Sequence, residues 1–208
     1  MEDTGSPRED GNLTAGEDLL DLQLTFERLK TVERQNPLCD SSRRENTAEH
    51  SWSVALAVII FQDEATVPLD LGRALALAVT HDLPEAFVGD TFVYSHEAES
   101  RSSREWTAMD SFLRKAGSTS TKSHLVGLWQ EYEVAASREA RYVLALDILL
   151  PVFFNSRNLE HSSWKRHQVR AMDVRARVQG VQDLLPRLAA QAYQAIDHGV
   201  RNGALRGP

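Results

Sequence analysis

The chain has 208 residues, of which 42% are hydrophobic and 25% charged, and this is ordinary for one globular domain with a substantial core. Its net charge of −7 argues against nucleic-acid backbones as the main partner, and its single cysteine, Cys39, excludes an intrachain disulfide framework and a cysteine-rich zinc site. Because no apolar run reaches the length of a membrane span and the polar N-terminus is unlike a signal peptide, we expect a cytoplasmic protein without membrane contact.

Hydrophobic periodicity predicts helices throughout the body of the chain. Residues 1–12 are rich in Glu, Asp, Gly, Ser and Pro and are expected to form a disordered tail, so that one folded domain covers residues 13–200. No segment alternates with period two between hairpin turns, and the fold class is therefore predicted to be all-α, a single-domain helical bundle. In chain order, the predicted helices cover approximately residues 19–32, 47–62, 71–81, 97–116, 122–132, 137–154, 164–178 and 181–198.

Three residues define predicted helix boundaries near the most informative part of the sequence. Thr47 is expected to be the N-cap of the second helix and Asp70 the N-cap of the third, because their side-chain oxygens accept hydrogen bonds from first-turn amides. Pro84 is expected to disturb or end the third helix, because proline lacks an N–H group and disfavours the helical conformation at the preceding residue.

The end of the third helix carries a His-Asp pair, His81 and Asp82, directly after the almost wholly apolar run 71–79. Such a pair is costly to desolvate unless it is charge-paired or binds a metal. His50 upstream and Asp147 downstream also lie beside apolar residues on predicted helices. Together the four residues predict one divalent metal site, with two imidazole and two carboxylate ligands that suit Mn, Fe, Co, Ni or Zn.

Two further carboxylates follow the His-Asp pair and are candidate catalytic residues. Glu85 lies four residues after His81, so its carboxylate is expected near the metal, where it could donate or accept a proton. Asp90 lies in the loop that follows and is expected to hold a ligand hydroxyl or a water. The segment therefore combines metal ligands with groups that move protons.

With these residues identified, the sequence resembles the HD-domain phosphohydrolase superfamily, and more closely the branch that contains the bacterial 5'-deoxynucleotidases. The superfamily pattern H…HD…D is met by His50, the His81-Asp82 pair and Asp147, and the likeness runs from about residue 24 to residue 155. Two segments carry the closer resemblance to the branch: Arg44-Glu45-Asn46-Thr47-Ala48-Glu49-His50-Ser51 and His81-Asp82-x-x-Glu85-x-x-x-Gly89-Asp90.

The resemblance implies a helical fold of the HD-domain type, a single divalent metal held by the four residues above, and hydrolysis of a nucleoside 5'-phosphate. It also implies a small-molecule nucleotide as substrate and a homodimer. In that branch, the residue that matches Glu85 is a catalytic carboxylate, and the residue that matches Asp90 lies near the sugar hydroxyl. A basic residue before the first histidine contacts phosphate there; Arg34 is its nearest match, and Arg44 is a second candidate.

The chain departs from the branch directly after Arg34. The deoxynucleotidases have a tryptophan close after this arginine that helps to define the sugar pocket, whereas this chain has Gln35 and Asn36 before Pro37. The sequence therefore leaves open which nucleotide is bound and whether deoxyribose is preferred.

Three other interpretations stay open at this point. One is an HD-domain hydrolase of nucleoside di- or triphosphates or of a specialised nucleotide analogue. Another is a dimetal HD oxygenase or phosphodiesterase, which needs further histidines before the last aspartate; His96 and His124 occupy that interval, but neither lies in a recognisable ligand motif. The third is a nonenzymatic nucleotide-binding helical protein, against which the presence of all four ligand positions and Glu85 argues.

Overall fold

The computed structural model describes residues 15–40, 42–115 and 119–207, so the predicted disordered tail at residues 1–12 lies outside the described residues. Helices dominate these ranges, which confirms the all-α prediction. The helices are α1 (Ala15–Glu27), α2 (Thr47–Ile60), α3 (Leu71–Thr80), α4 (Glu85–Val88), α5 (Ala98–Arg114), α6 (Thr119–Glu133), α7 (Arg138–Arg157), α8 (Ser163–Arg166), α9 (Ala171–Gln179) and α10 (Pro186–Arg201).

A two-stranded antiparallel sheet lies between α1 and α2, where no strand is predicted. Strand β1 (Glu33–Pro37) pairs with β2 (Arg44–Asn46), with an irregular register between the two ends of β1. The first helix ends at Glu27 and a short 3₁₀ turn follows, so the prediction of a helix continuing to residue 32 is wrong. Strand β1 is short and polar and therefore lacks an alternating pattern, and its position depends on packing against α7 and α8.

Two of the predicted boundaries need correction, and one is confirmed. The N-cap of α2 is Asn46 rather than Thr47: the Asn46 side chain accepts from the Glu49 amide, and the Glu49 carboxylate accepts from the Asn46 amide. Asp70 caps α3 as predicted and accepts from the Arg73 amide at 3.0 Å. The helix predicted over 164–178 is interrupted between α8 and α9.

The interruption follows from backbone conformation at Gln168, which has a φ of 51°, a value that no helical residue adopts. The chain therefore turns after α8 and begins again at α9. This turn places α8 against β1, beside the candidate site described below.

Helices α2, α3 and α7 pack against one another and form the centre of the core, and α10 covers α7. Fully buried side chains at their contacts include Val54, Val58, Leu77, Leu146, Leu149 and Ile196. Of the four predicted metal ligands, α2 carries His50, α7 carries Asp147, and His81 and Asp82 directly follow α3, so the core fixes the geometry of the site. Within the described residues, the helices lack the combination of length and apolar character that a membrane span requires.

Candidate metal centre

The structure brings the four predicted metal ligands together at one point between α2, α3 and α7. One ligand atom from each of His50, His81 and Asp147 lies within 4.8 Å of the other two. His50 Nε2 is 2.8 Å from Asp147 Oδ1, and His81 Nε2 is 3.1 Å from Asp82 Oδ2. The Asp82 carboxylate also lies 3.9 Å from His50 Nε2, so it completes the cluster.

The imidazole of His81 tests whether these residues fit a metal ion. Its Nδ1 donates to the Ala78 carbonyl at 2.8 Å, since a carbonyl oxygen only accepts. Its Nε2 is buried among the cluster carboxylates and has no hydrogen-bond partner among the described residues. A buried nitrogen left without a partner is costly, and a cation bound there would satisfy it. Two imidazole nitrogens and two carboxylates are donors that divalent transition ions accept, so the residues fit such an ion.

The carboxylates of the cluster stabilise a positive charge on the neighbouring imidazole. Burial and the nearby Arg34 charge lower the pKa of His50, but the contacts with Asp147 and Glu45 outweigh both and raise this pKa to about 9. Burial raises the pKa of Asp147, yet the His50 hydrogen bond and charge hold it well below its usual range. The pair therefore retains a proton between its members at neutral pH, and a bound cation would replace that proton.

Two residues that the sequence analysis missed orient the cluster. The Tyr132 hydroxyl on α6 donates to Asp147 Oδ2 at 2.9 Å, and its ring packs edge-on against His81 with centroids 5.1 Å apart. Glu45 Oε1 lies 3.6 Å from His50 Nδ1. Contacts of this kind fix the orientation of metal ligands in proteins. Tyr132 gave no sequence signal because it lies on another helix, whereas Glu45 stands inside the motif around His50.

Arg34 on β1 lies in the middle of a group of carboxylates. Its Nη1 is 2.9 Å from Asp82 Oδ2 and 3.6 Å from both Glu85 Oε1 and Asp90 Oδ1, and its Nε is 3.4 Å from Glu45 Oε1. Burial lowers the pKa of Arg34, but these carboxylates, Asp82 first, raise it well above its usual value. Arg34 therefore carries a permanent positive charge beside the candidate metal site.

The two predicted catalytic carboxyl groups lie at the same point, and the pKa of each is raised. The Thr47 hydroxyl donates to Glu85 Oε2 at 2.6 Å. Burial, with the Asp82 charge, raises the pKa of Glu85 well above its usual range although Arg34 opposes the shift. Burial likewise raises the pKa of Asp90 against the effect of Arg34. A raised pKa makes a carboxyl group a better proton donor, which suits Glu85 to general acid catalysis.

Gly89 allows Asp90 to reach the cluster. It ends α4 with a φ of 75°, a left-handed conformation that side-chain-bearing residues rarely adopt. The chain reverses there and returns the Asp90 carboxylate toward Arg34. This turn explains why the spacing from Glu85 to Asp90 matters to the site.

A cavity of about 650 Å³ opens onto the cluster. This volume is large enough for a nucleotide-sized ligand. Arg34, Asp82, Glu85, Asp90 and Asp147 all line it. The rest of its wall combines aromatic, polar and cationic side chains, among them Phe92, Tyr94, Arg101, Asn155 and Arg177.

Arg44 is not brought into this cavity, contrary to the expectation that it contacts phosphate. Its side chain is exposed, and its charge lies near those of Arg166 and His167. Side chains alternate between the two faces of a strand, so the buried position of Glu45 on β2 directs its neighbour Arg44 outward.

The two histidines that a second metal would require also lie elsewhere. His96 and His124 are both exposed, and neither lines the cavity. Across the ranges that the structure describes, the group that could hold a metal ion is the one formed by His50, His81 and Asp147. The geometry therefore favours one metal per chain over two.

A helical fold that brings histidines and carboxylates from three central elements into one buried cluster is typical of helical proteins that bind a metal ion. The model of the HD domain matches residues 26–188, more than half of the chain, and the chain belongs to this family.

Several known proteins are similar to this chain. The 5'-deoxynucleotidase HDDC2 of Xenopus laevis is 27% identical over 135 residues, 64% of this chain and 66% of the relative. The Homo sapiens protein of the same name is 31% identical over 106 residues, half of each chain. The solved structure of a predicted metal-dependent phosphohydrolase from Magnetospirillum magnetotacticum MS-1 is 32% identical, with a TM-score of 0.81 over 92% of this chain and 97% of that chain. The matches to the two deoxynucleotidases thus span between half and just under two thirds of their length.

Proposed function

We propose that this protein is a metal-dependent phosphohydrolase that cleaves the phosphate ester of a nucleoside 5'-phosphate. The observation that carries the proposal is the meeting of His50, His81, Asp82 and Asp147 beside a buried arginine and two carboxyl groups with raised pKa values. The arginine, these two carboxyl groups and the two aspartates of the cluster line one cavity. The names of the two deoxynucleotidase relatives support a nucleotide as substrate. The resemblance of the sequence to the 5'-deoxynucleotidases supports a phosphate monoester as the bond that is cleaved. A cytoplasmic location of the protein is proposed from the sequence alone.

In this proposal, the four cluster residues hold one divalent ion. When bound, such an ion polarises a phosphoryl oxygen and makes a water molecule nucleophilic near neutral pH. Arg34 offers a fixed positive charge to the nonbridging phosphate oxygens, which stabilises the charge that develops during phosphoryl transfer. To reach phosphate, its guanidinium exchanges part of its contact with Asp82 and Asp90 for the substrate.

Proton transfer is assigned to Glu85, and sugar binding to Asp90. Burial raises the pKa of the Glu85 carboxyl, which lies 3.6 Å from Arg34, so we assign to Glu85 the protonation of the leaving 5' oxygen of the nucleoside. Thr47 holds Glu85 Oε2, while Glu85 Oε1 lies on the side of Arg34. Asp90 is placed to accept a hydrogen bond from a sugar hydroxyl.

Two substitutions separate metal binding from proton transfer. Asp82→Ala is expected to lose both bound metal and turnover. Glu85→Gln, which keeps the size of the side chain, is expected to retain metal and to slow turnover by about 100-fold or more. Metal content and phosphate release are measured on the same samples, with a panel of nucleoside mono-, di- and triphosphates. Full turnover in a metal-free Asp82→Ala protein would refute the proposal, and preference for a triphosphate would favour the alternative hydrolase.

A homodimer, expected from the resemblance, remains a proposal. The exposed large apolar side chains of α2 are Trp52, Leu56, Ile59 and Ile60, and we propose that a second copy packs against them. Light scattering of the purified protein, together with a Trp52→Glu variant, measures the association state directly.

A further inference from the structure

A buried polar network lies in the cavity wall beside Arg34, and the phosphoryl chemistry proposed above does not use it. It joins Asn36 on β1, Asn155 on α7 and Ser163 at the start of α8, and all three residues line the cavity. Asn36 is 8% exposed and Asn155 and Ser163 are each 1% exposed. Amides at the wall of a ligand cavity are satisfied by protein, by solvent or by ligand.

Backbone groups fix the orientation of the Asn155 amide in this network. The Ser163 amide, which only donates, gives a 2.7 Å hydrogen bond to Asn155 Oδ1. The Pro151 carbonyl, which only accepts, takes a 2.8 Å hydrogen bond from Asn155 Nδ2. The two ends of the Asn155 amide are therefore assigned without ambiguity.

The fixed orientation of Asn155 determines that of Asn36. Asn155 Nδ2 also donates to Asn36 Oδ1 at 2.9 Å, and the Ser163 hydroxyl lies 2.8 Å from the same oxygen. Asn36 must present its oxygen to these donors, so its Nδ2 is on the other side of the amide. Within the described ranges no protein acceptor contacts Asn36 Nδ2.

The distance between Asn36 and Arg34 indicates which part of a bound substrate Asn36 Nδ2 can contact. The two residues are two positions apart on β1, and a strand rises about 3.3 Å per residue, so their Cα atoms are roughly 7 Å apart. If Arg34 holds a 5'-phosphate, a group at that separation lies beside the sugar or the near edge of the base. The partner must be a hydrogen-bond acceptor, since an amide N–H only donates.

We propose that Asn36 is a specificity-determining residue, whose Nδ2 donates a hydrogen bond to an oxygen acceptor on the nucleoside part of the substrate. This inference rests on the function proposed above. It also gives a physical role to the Gln35-Asn36 segment, which stands where the resembling branch has a tryptophan. A donor there recognises an oxygen atom, whereas an aromatic ring recognises an apolar surface.

Asn36→Asp is the most informative substitution, because one carboxylate oxygen can still accept from Asn155 and Ser163 while the other presents an acceptor to the cavity. The variant is compared with wild type on three substrates: a nucleoside 5'-monophosphate, ribose 5-phosphate, which lacks a base, and p-nitrophenyl phosphate, which lacks both sugar and base. The added charge weakens phosphate binding for all three, so the ratio of kcat/KM values to that for p-nitrophenyl phosphate isolates recognition of the nucleoside.

We expect this ratio to fall about tenfold or more for the nucleotide in Asn36→Asp, and by a smaller factor in the uncharged Asn36→Ala. A fall shared by ribose 5-phosphate assigns the acceptor to the sugar, and a fall confined to the nucleotide assigns it to the base. Unchanged ratios in both variants, with melting temperatures near that of wild type, would overturn the inference. If the wild type releases phosphate from none of the substrates with any metal, the proposed function fails instead.

Discussion

Glu105 on α5 shows how strongly burial acts on single residues near the site. Its side chain is 4% exposed and lies 3.8 Å from Arg101, whose guanidinium also lies 3.6 Å from Glu133 on α6. Burial, with the charges of Glu133 and Asp82, raises the pKa of Glu105 to about 7, although Arg101 and Arg104 oppose the shift. The folded protein therefore holds a proton on this carboxyl at a pH where an unfolded chain does not.

This difference predicts a pH dependence of stability. Between the ordinary pKa of 4.5 and the folded pKa near 7, the folded state binds the proton and the unfolded state does not, so raising the pH favours unfolding. From pH 5 to pH 8, wild type is expected to lose about 3 kcal/mol more unfolding free energy than Glu105→Gln, since each pKa unit corresponds to about 1.4 kcal/mol. Urea denaturation of both proteins at both pH values measures the difference; equal losses would contradict it.

At the scale of elements, the contact between α8 and α10 depends on a glycine. A Cβ atom added at Gly199 would lie 2.9 Å from Trp164 Cζ3 and 3.1 Å from Leu205 Cδ1, and Trp164 is 1% exposed. Real Cβ atoms do not approach other atoms this closely, so α10 can pack on α8 only because this residue has no side chain.

Gly199→Ala is therefore expected to destabilise the protein by about 1–3 kcal/mol, through overpacking against Trp164. Gly127→Ala on α6 is the matched control, because a Cβ there meets nothing within 4 Å. An alanine in an open helical position is expected to raise stability by up to about 1 kcal/mol. Chemical denaturation of the two variants measures both effects, and a Gly199→Ala protein as stable as wild type would show that the contact is looser than described.

The elements also show which parts of this molecule are predictable from sequence. Most helices were predicted because their apolar faces repeat at helical spacing, and Asp70 was identified as a cap because its chemistry is local. The strands β1 and β2 and the break at Gln168 were missed, because tertiary packing and one backbone conformation determine them.

The candidate site divides in the same way. His50, His81, Asp82, Asp147, Glu85, Asp90 and Arg34 were all identified from sequence and all meet at one cluster. Tyr132 could not be predicted to contact Asp147, because nothing in its own helix indicates a partner on another one. Arg44 was expected at the site because it precedes the first histidine of the motif, but the alternation of side chains along β2 directs it to the surface.

At the scale of the whole molecule, the candidate metal centre joins the three helices that form the core. His50 comes from α2, His81 and Asp82 from the end of α3, and Asp147 from α7. An ion bound by all of them contacts only the folded protein, so binding and folding are linked. At a free concentration 100 times its dissociation constant, such an ion would add about 2.7 kcal/mol of stability.

The measurement that tests the central claim most directly is a titration of the metal-free protein with divalent metals, with bound metal, melting temperature and phosphate release followed together. We predict that release of phosphate from a nucleoside 5'-monophosphate rises in step with bound metal, saturates at one ion per chain and is abolished by a chelator. The melting temperature should rise over the same range. Phosphate release without bound metal, or no release from any nucleotide when each chain holds one ion, would contradict the account.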